Sequence, residues 1–264
     1  MAATDAVSAI ALNTFRETVR DRVLYAFFIF ACLISAVGIV LGSLSIGQDI
    51  RVIEDLGLAA VAIIGGIIAV FAGTNLVFKE LERRTIYIIF TKPVSSWQFI
   101  AGKYLGLAMC IFVVLLAMGL FLTLLLFMVD PGHQIQLRLP WIAASLGLVY
   151  LELLFVLALA TFFSTFSTPV MSVIFTLSLW FIGHLGSSLL DLGRMSSSPA
   201  VQKTLAAIYW LLPDLAGLTR VRAQLMYGQD AAGETVLYLS CYVLAYILFL
   251  LGLAAVVNER REFP

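Results

Sequence analysis

Long apolar runs alternate with short polar turns along this chain. A helix that spans lipid takes about 20 mostly apolar residues, because hydrocarbon offers no partner to an open backbone. Six runs meet that length, over residues 23–44, 56–78, 104–129, 140–164, 169–190 and 236–257. The pattern predicts an all-α fold: a polytopic membrane protein with six transmembrane helices, forming a single domain over 1–264. Asn75 falls near the end of the second run, and Glu152 lies deep inside the fourth.

The segments between the runs carry their own patterns. Over 4–22, Val7, Ile10, Ala11 and Thr14 recur at helical spacing, and Phe15, Thr18 and Val19 extend that side. Ser8, Asn13, Arg16, Glu17, Arg20 and Asp21 fall largely elsewhere. An amphipathic helix ahead of a first span suits the membrane interface; a solvated extension is the alternative.

Residues 79–103 form a charged turn followed by an apolar run that is too short to cross. Pro93 stops that run, and Ser95 or Ser96 is placed to cap a second short helix leading into the third span. This elbow suits docking to another protein, and its apolar side chains would equally well rest on lipid. Residues 191–235 make a long segment with a turn at Ser196-Ser197-Ser198-Pro199. Its apolar stretch 205–212, broken by Pro213-Asp214, reads as a short re-entrant or interfacial helix.

Composition agrees with a lipid environment. Hydrophobic residues are 62% of the 264 and charged residues 12%, against roughly 45–50% and 25% in an average soluble domain. Mean hydropathy is +1.04. A soluble fold of this length has too much surface to hide so many apolar side chains. The net charge of zero argues against nucleic acid as a partner.

The sixteen basic residues are unevenly placed. With the N-terminus inside, the cytoplasmic side holds Arg16, Arg20, Arg22, Lys79, Arg83, Arg84, Lys92, Lys103, Arg260 and Arg261. The other side holds Arg51, Arg138, Arg194, Lys203, Arg220 and Arg222, most of them in one long loop. The positive-inside rule then puts both termini and the 79–103 elbow in the cytoplasm. The charges over 1–22 leave no short apolar core of a cleaved leader.

Candidate chemistry is sparse. Gly102-Lys103 is followed by Tyr104, and Trp97 stands where a phosphate-binding loop needs glycine, so ATP binding by this chain is not expected. His133 and His184 have no partner at metal-ligand spacing, and no paired-carboxylate or nucleophile-plus-base pattern is present, so neither a metal nor a catalytic site is expected. Cys32, Cys110 and Cys241 sit inside apolar runs and read as packing residues. Glu152 costs about 3 kcal/mol or more to insert, so it must face protein or water. It reads either as a substrate or proton contact, with Asn75 as a second polar position, or as a carboxyl bonded to a neighbouring helix. Gly38-x-x-x-Gly42 and Gly102-x-x-x-Gly106 permit close helix packing.

One loop has a familiar look. Glu80, Glu82, Arg83, Arg84 and Thr85, followed by Lys92-Pro93-Val94-Ser95, Trp97 and Gly102-Lys103, resemble the cytoplasmic loop of ABC transporter permeases of the type-2 exporter class. The subgroup most similar is linked to multicopper-enzyme maturation, such as nitrous-oxide-reductase assembly. Asn13 through Glu17, Phe163 through Ser167 and Leu212-Pro213-Asp214 are similar as well.

The resemblance implies a permease subunit that exports a substrate using ATP and Mg bound by a separate ABC ATPase dimer. Glu80, Glu82, Arg83, Arg84 and Thr85 would form the coupling helix that contacts the ATPase, braced by the N-terminal helix with Phe15, Arg16 and Arg20. A second permease chain, identical or different, would complete a path lined mainly by spans two and five and capped by 200–212. The location implied is a bacterial or archaeal cytoplasmic membrane. Ser96 stands where such permeases usually carry a basic residue, which removes part of the charged contact. The long outer segment motivates the alternative of a membrane scaffold or assembly factor for a periplasmic enzyme, without transport.

Overall fold

The structure is a computed structural model that describes residues 3–42, 49–82, 95–129, 134–186, 200–205, 214–226 and 233–259, with single positions at 192, 195 and 198. All regular structure among the described residues is helical. The main elements are α1 (Ala3–Val19), α2 (Arg22–Gly42), α3 (Asp49–Glu82), α4 (Ser96–Val129), α5 (Gln134–Ser164), α6 (Pro169–His184), α7 (Leu215–Met226) and α8 (Gly233–Glu259). Four stretches among them are long and apolar enough to cross a membrane: Ile50–Asn75, Ser96–Val129, Arg138–Ser164 and Gly233–Glu259. Phe28–Gly38 in α2 and Pro169–His184 are shorter apolar helices.

Local chemistry sets several boundaries. Ser95 and Gln98 form a capping box: the Ser95 N–H donates to Gln98 Oε1 at 3.1 Å, and the Gln98 N–H donates to Ser95 Oγ at 3.4 Å. Nothing between 96 and 103 breaks a helix, so α4 runs unbroken from that cap, and α3 carries on to Glu82. Helix therefore occupies both ends of the expected 79–103 loop, and residues 83–94 lie outside the described set. Pro169 opens α6 from Thr168, whose φ of −73° and ψ of 159° are extended. Asp214 caps α7 by accepting the Gly217 N–H at 3.0 Å.

The core lies where α3, α4 and α5 meet and continues to α7 and α8. Leu153, Phe155 and Leu157 of α5 are fully buried there. Two reciprocal bonds tie α4 to α5. The Tyr104 hydroxyl donates to the Leu154 carbonyl at 3.0 Å, and the Tyr150 hydroxyl donates to the Ala108 carbonyl at 3.2 Å. α7 is not a surface element: Leu215, Leu218, Val221 and Leu225 are buried in the bundle. Of the stretch 205–212 expected to re-enter the membrane, residues 206–212 lie outside the described residues.

α1 rests on α4. Ala11 and Thr14 are buried, Phe15 is half-buried, and Arg16 and Arg20 are exposed. The two glycines of the Gly102-x-x-x-Gly106 pair make the contact. A Cβ at Gly106 would stand 2.5 Å from the Ala11 carbonyl oxygen and 2.7 Å from Thr14 Cβ. At Gly102 it would stand 2.8 Å from Ile10 Cβ. Only a residue with no side chain lets the two helices approach this closely. Lys103, buried between the glycines, lies over the Phe99 ring at 5.0 Å.

Gly106→Leu is expected to lift α1 from α4. In a background with Cys32, Cys110 and Cys241 replaced, maleimide labelling of a Thr14→Cys reporter should speed up by about tenfold or more, matching an overpacking cost of roughly 1–3 kcal/mol. Unchanged labelling would show that the glycine contact does not hold α1.

Candidate functional site

α5 and α6 form an antiparallel hairpin through the turn at 165–168. Glu152 lies twelve residues before the end of α5, and Trp180 and His184 lie in the last turns of α6. Equal distances from the turn bring them to one level. Trp180 Nε1–H donates to Glu152 Oε1 at 2.9 Å, and His184 Nε2 stands 3.2 Å from the same oxygen. His184 Nδ1 stands 3.0 Å from the Trp180 carbonyl oxygen. The Glu152 side chain is 2% exposed and that of His184 31%, so the cluster is sealed at the carboxylate and open at the imidazole.

Partner chemistry fixes most of the protons. A carbonyl only accepts, so Nδ1 carries a hydrogen. The contact between Oε1 and Nε2 needs one further proton between them, held as carboxylate with imidazolium or as carboxylic acid with neutral imidazole. Either form is neutral overall, the arrangement with the lowest cost in an apolar surround. Arg222 of α7 acts electrostatically on His184 and opposes any extra positive charge there.

Neighbouring elements shape the recess. Any Cβ at Gly66 of α3 would collide with the Trp180 ring, so glycine makes the room that the indole fills. α6 otherwise buries only Ser172, Thr176 and Gly183. Small side chains give close approach but little contact area, so the bonds of Trp180 and His184 to Glu152 are its main polar fastening to α5. At the other end of α5, Arg138 Nη1 donates to Glu54 Oε2 of α3 at 2.8 Å, and Glu54 is buried.

The structure places the expected residues unequally. Glu152 is buried and bonded to a neighbouring helix, one of the two arrangements expected for it. Asn75 is exposed and does not join it. Gly73, two residues before Asn75, packs on Ala160, and that contact is about 12 Å along α5 from Glu152. Glu80 and Glu82 close α3 with side chains outside the described set, and Arg83, Arg84 and Thr85 lie outside the described residues. No cluster of metal-ligating side chains occurs among the described residues. Trp180 and the pairing of His184 were missed in the sequence. The signal was available in the hairpin, because a turn near 166 brings 152 opposite the early 180s.

Long apolar helices, fastened by buried polar side chains and clasped by an N-terminal helix, define a multi-pass α-helical membrane protein. Residues 8–263 match the model of the ABC-2 family transporter protein family, and the chain belongs to that family. It is thus a transmembrane permease of the ABC transporter class, a transport component rather than a recognised catalyst. Comparison with curated proteins finds no match.

Replacing Glu152 with Leu should cost about 1–3 kcal/mol, because it leaves the Trp180 indole and His184 without their acceptor. Glu152→Gln should cost less, since its amide oxygen still accepts the indole N–H. Thermal unfolding in lipid nanodiscs measures both; equal melting temperatures for Leu, Gln and the native residue would remove the cluster from the fastening of α6.

Proposed function

We propose that this chain is the membrane subunit of an exporter powered by ATP hydrolysis in a separate ABC ATPase dimer, which binds ATP and Mg. The observation that carries the reading is the clasp of α1 on the first turns of α4. Both helices flank the 79–103 elbow, so a push on the elbow is delivered to α1 and α4 as one body. From there the Tyr104 and Tyr150 bonds pass it to α5. Glu80, Glu82, Arg83, Arg84 and Thr85 form the ATPase contact in this reading, with exposed Arg16 and Arg20 beside it.

Six spans complete the architecture. α2, with 21 residues, is about 31 Å long and matches the hydrocarbon thickness. α6 requires the residues beyond His184 to finish its crossing. Both termini then lie in the cytoplasm, in agreement with the positive-inside bias, and the membrane is a bacterial or archaeal cytoplasmic membrane. Two permease chains pair around the transport path, and Glu152 lies beside it with its imidazole partner toward the outer side. The likeness of the 80–103 loop to permeases of multicopper-enzyme maturation supports a cargo delivered to a periplasmic assembly process.

The test is reconstitution with the ATPase encoded beside this reading frame. The pair should co-purify, and the ATPase should hydrolyse ATP faster in vesicles that contain the permease. Charge reversal by Glu82→Lys or Arg84→Glu should abolish that stimulation while the permease still folds. Absence of a complex, or full stimulation in the Glu82→Lys variant, would overturn the reading.

A further inference from the structure

We propose that Glu152 and His184 form a proton-binding site that is coupled to the separation of α6 from α5, so that opening this helix pair releases one proton to the outer side. The inference rests on the permease reading in two respects: that α5 and α6 move apart during transport, and that this end of the pair faces outward. The site itself follows from the geometry.

The closed pair holds one shared proton. Glu152 Oε1 already accepts the Trp180 indole hydrogen, and His184 Nδ1 already donates to a carbonyl. The remaining contact, Nε2 to Oε1 at 3.2 Å, is attractive only with a proton in it. Removing that proton sets a lone pair against a buried carboxylate. Adding a second leaves a net positive charge facing Arg222. The span of α3 packed behind Trp180 has no charged residue from 56 to 78, so it offers no compensation. On α8 the acidic side chains, Glu234 and Glu259, sit at the two ends. The closed state therefore fixes the proton count at one.

Separated and wet, the two groups return to ordinary behaviour. The carboxylate no longer faces the imidazole, and an imidazole in water loses its proton above about pH 6.5. The step on opening is carboxylate–imidazolium going to carboxylate, neutral imidazole and a proton delivered to water. His184 is the group through which it leaves, because its side chain is the partly exposed member of the pair. Linkage fixes the signs. Above about pH 6.5 the open state holds one proton fewer, so the open-to-closed ratio rises tenfold per pH unit. Just below about 6.5 both states hold one and the ratio is flat.

α6 is built to part in this way. Its buried stripe is Ser172, Thr176 and Gly183, all small, and its larger contacts, Val173, Leu179 and the Trp180 ring in the Gly66 recess, are only partly buried. The polar cluster holds what the apolar contact does not.

The full chain in lipid nanodiscs tests this without any ATPase, so failure of the site and failure of the transport reading are told apart. The chain has two histidines, so a His133→Gln background leaves His184 as the single imidazole for nitrogen-15 magnetic resonance. The expected result is Nδ1 protonated in the closed form. In the cysteine-replaced background, spin labels at Ala144 of α5 and Phe181 of α6, both exposed, should show a long-distance population. That population should grow relative to the short one by up to tenfold per pH unit above about 6.5. Glu152→Gln and His184→Gln should both abolish the slope. An imidazole protonated only at Nε2, a distance distribution independent of pH in the native sequence, or a slope that survives Glu152→Gln would each overturn the proposal. Should the variants fail to fold, the first two measurements on the native residues decide it.

Discussion

Helices in hydrocarbon gain nothing by hiding apolar side chains from one another, since lipid tails are as apolar as leucine. Association must come from close backbone approach and from polar groups that find no other partner. Each contact that organises this bundle uses one of those two means. α1 reaches α4 through Gly102 and Gly106. α4 reaches α5 through two tyrosine hydroxyls aimed at backbone carbonyls. α5 reaches α6 through one carboxyl, and α3 through one ion pair.

α5 is where these fastenings converge. Over one turn and a half it presents Tyr150, Glu152 and the Leu154 carbonyl, and near its N-terminal end Arg138. Leu153, Phe155 and Leu157, within and just past this stretch, are fully buried and point to more than one side. A helix anchored on several sides and held by directional bonds is hard to move alone. The neighbours are more free: α6 has a narrow seat, and α1 touches α4 with one face. Motion in such a bundle is therefore set by which bond at the edge of α5 yields first.

Legibility in the sequence followed the range of the interaction. The crossing stretches in α3, α4, α5 and α8 were visible because hydropathy is a local sum, but the polar turns that begin α3 at Asp49 and α4 at Ser96, against 56 and 104 expected, lowered that sum and hid the starts. The capping box at Ser95 and Gln98 is also local. Glu152 was legible as a buried polar position, since one acid in 25 apolar residues must find a partner. Which partner was not legible. Asn75, the second polar position, lies on α3 away from Glu152, whereas pairing with His184 follows from the α5–α6 turn. The glycine pair at 102 and 106 was visible as a small-residue spacing, but spacing does not say which helix fills it. The burial of α7 was hidden because polar Thr219, Arg220 and Arg222 interrupt the apolar positions at 215, 218, 221 and 225 and depress the average.

α3 spans 34 residues, about 51 Å of helix against about 30 Å of hydrocarbon. The excess lies toward Glu82, while Glu54 near the opposite end is tied to Arg138. Such a rod magnifies any tilt along its length. A tilt of about 10° about Glu54 sweeps Glu82, about 42 Å away, through roughly 7 Å. Small angular changes near Glu54 thus become displacements of a whole helix turn at Glu82.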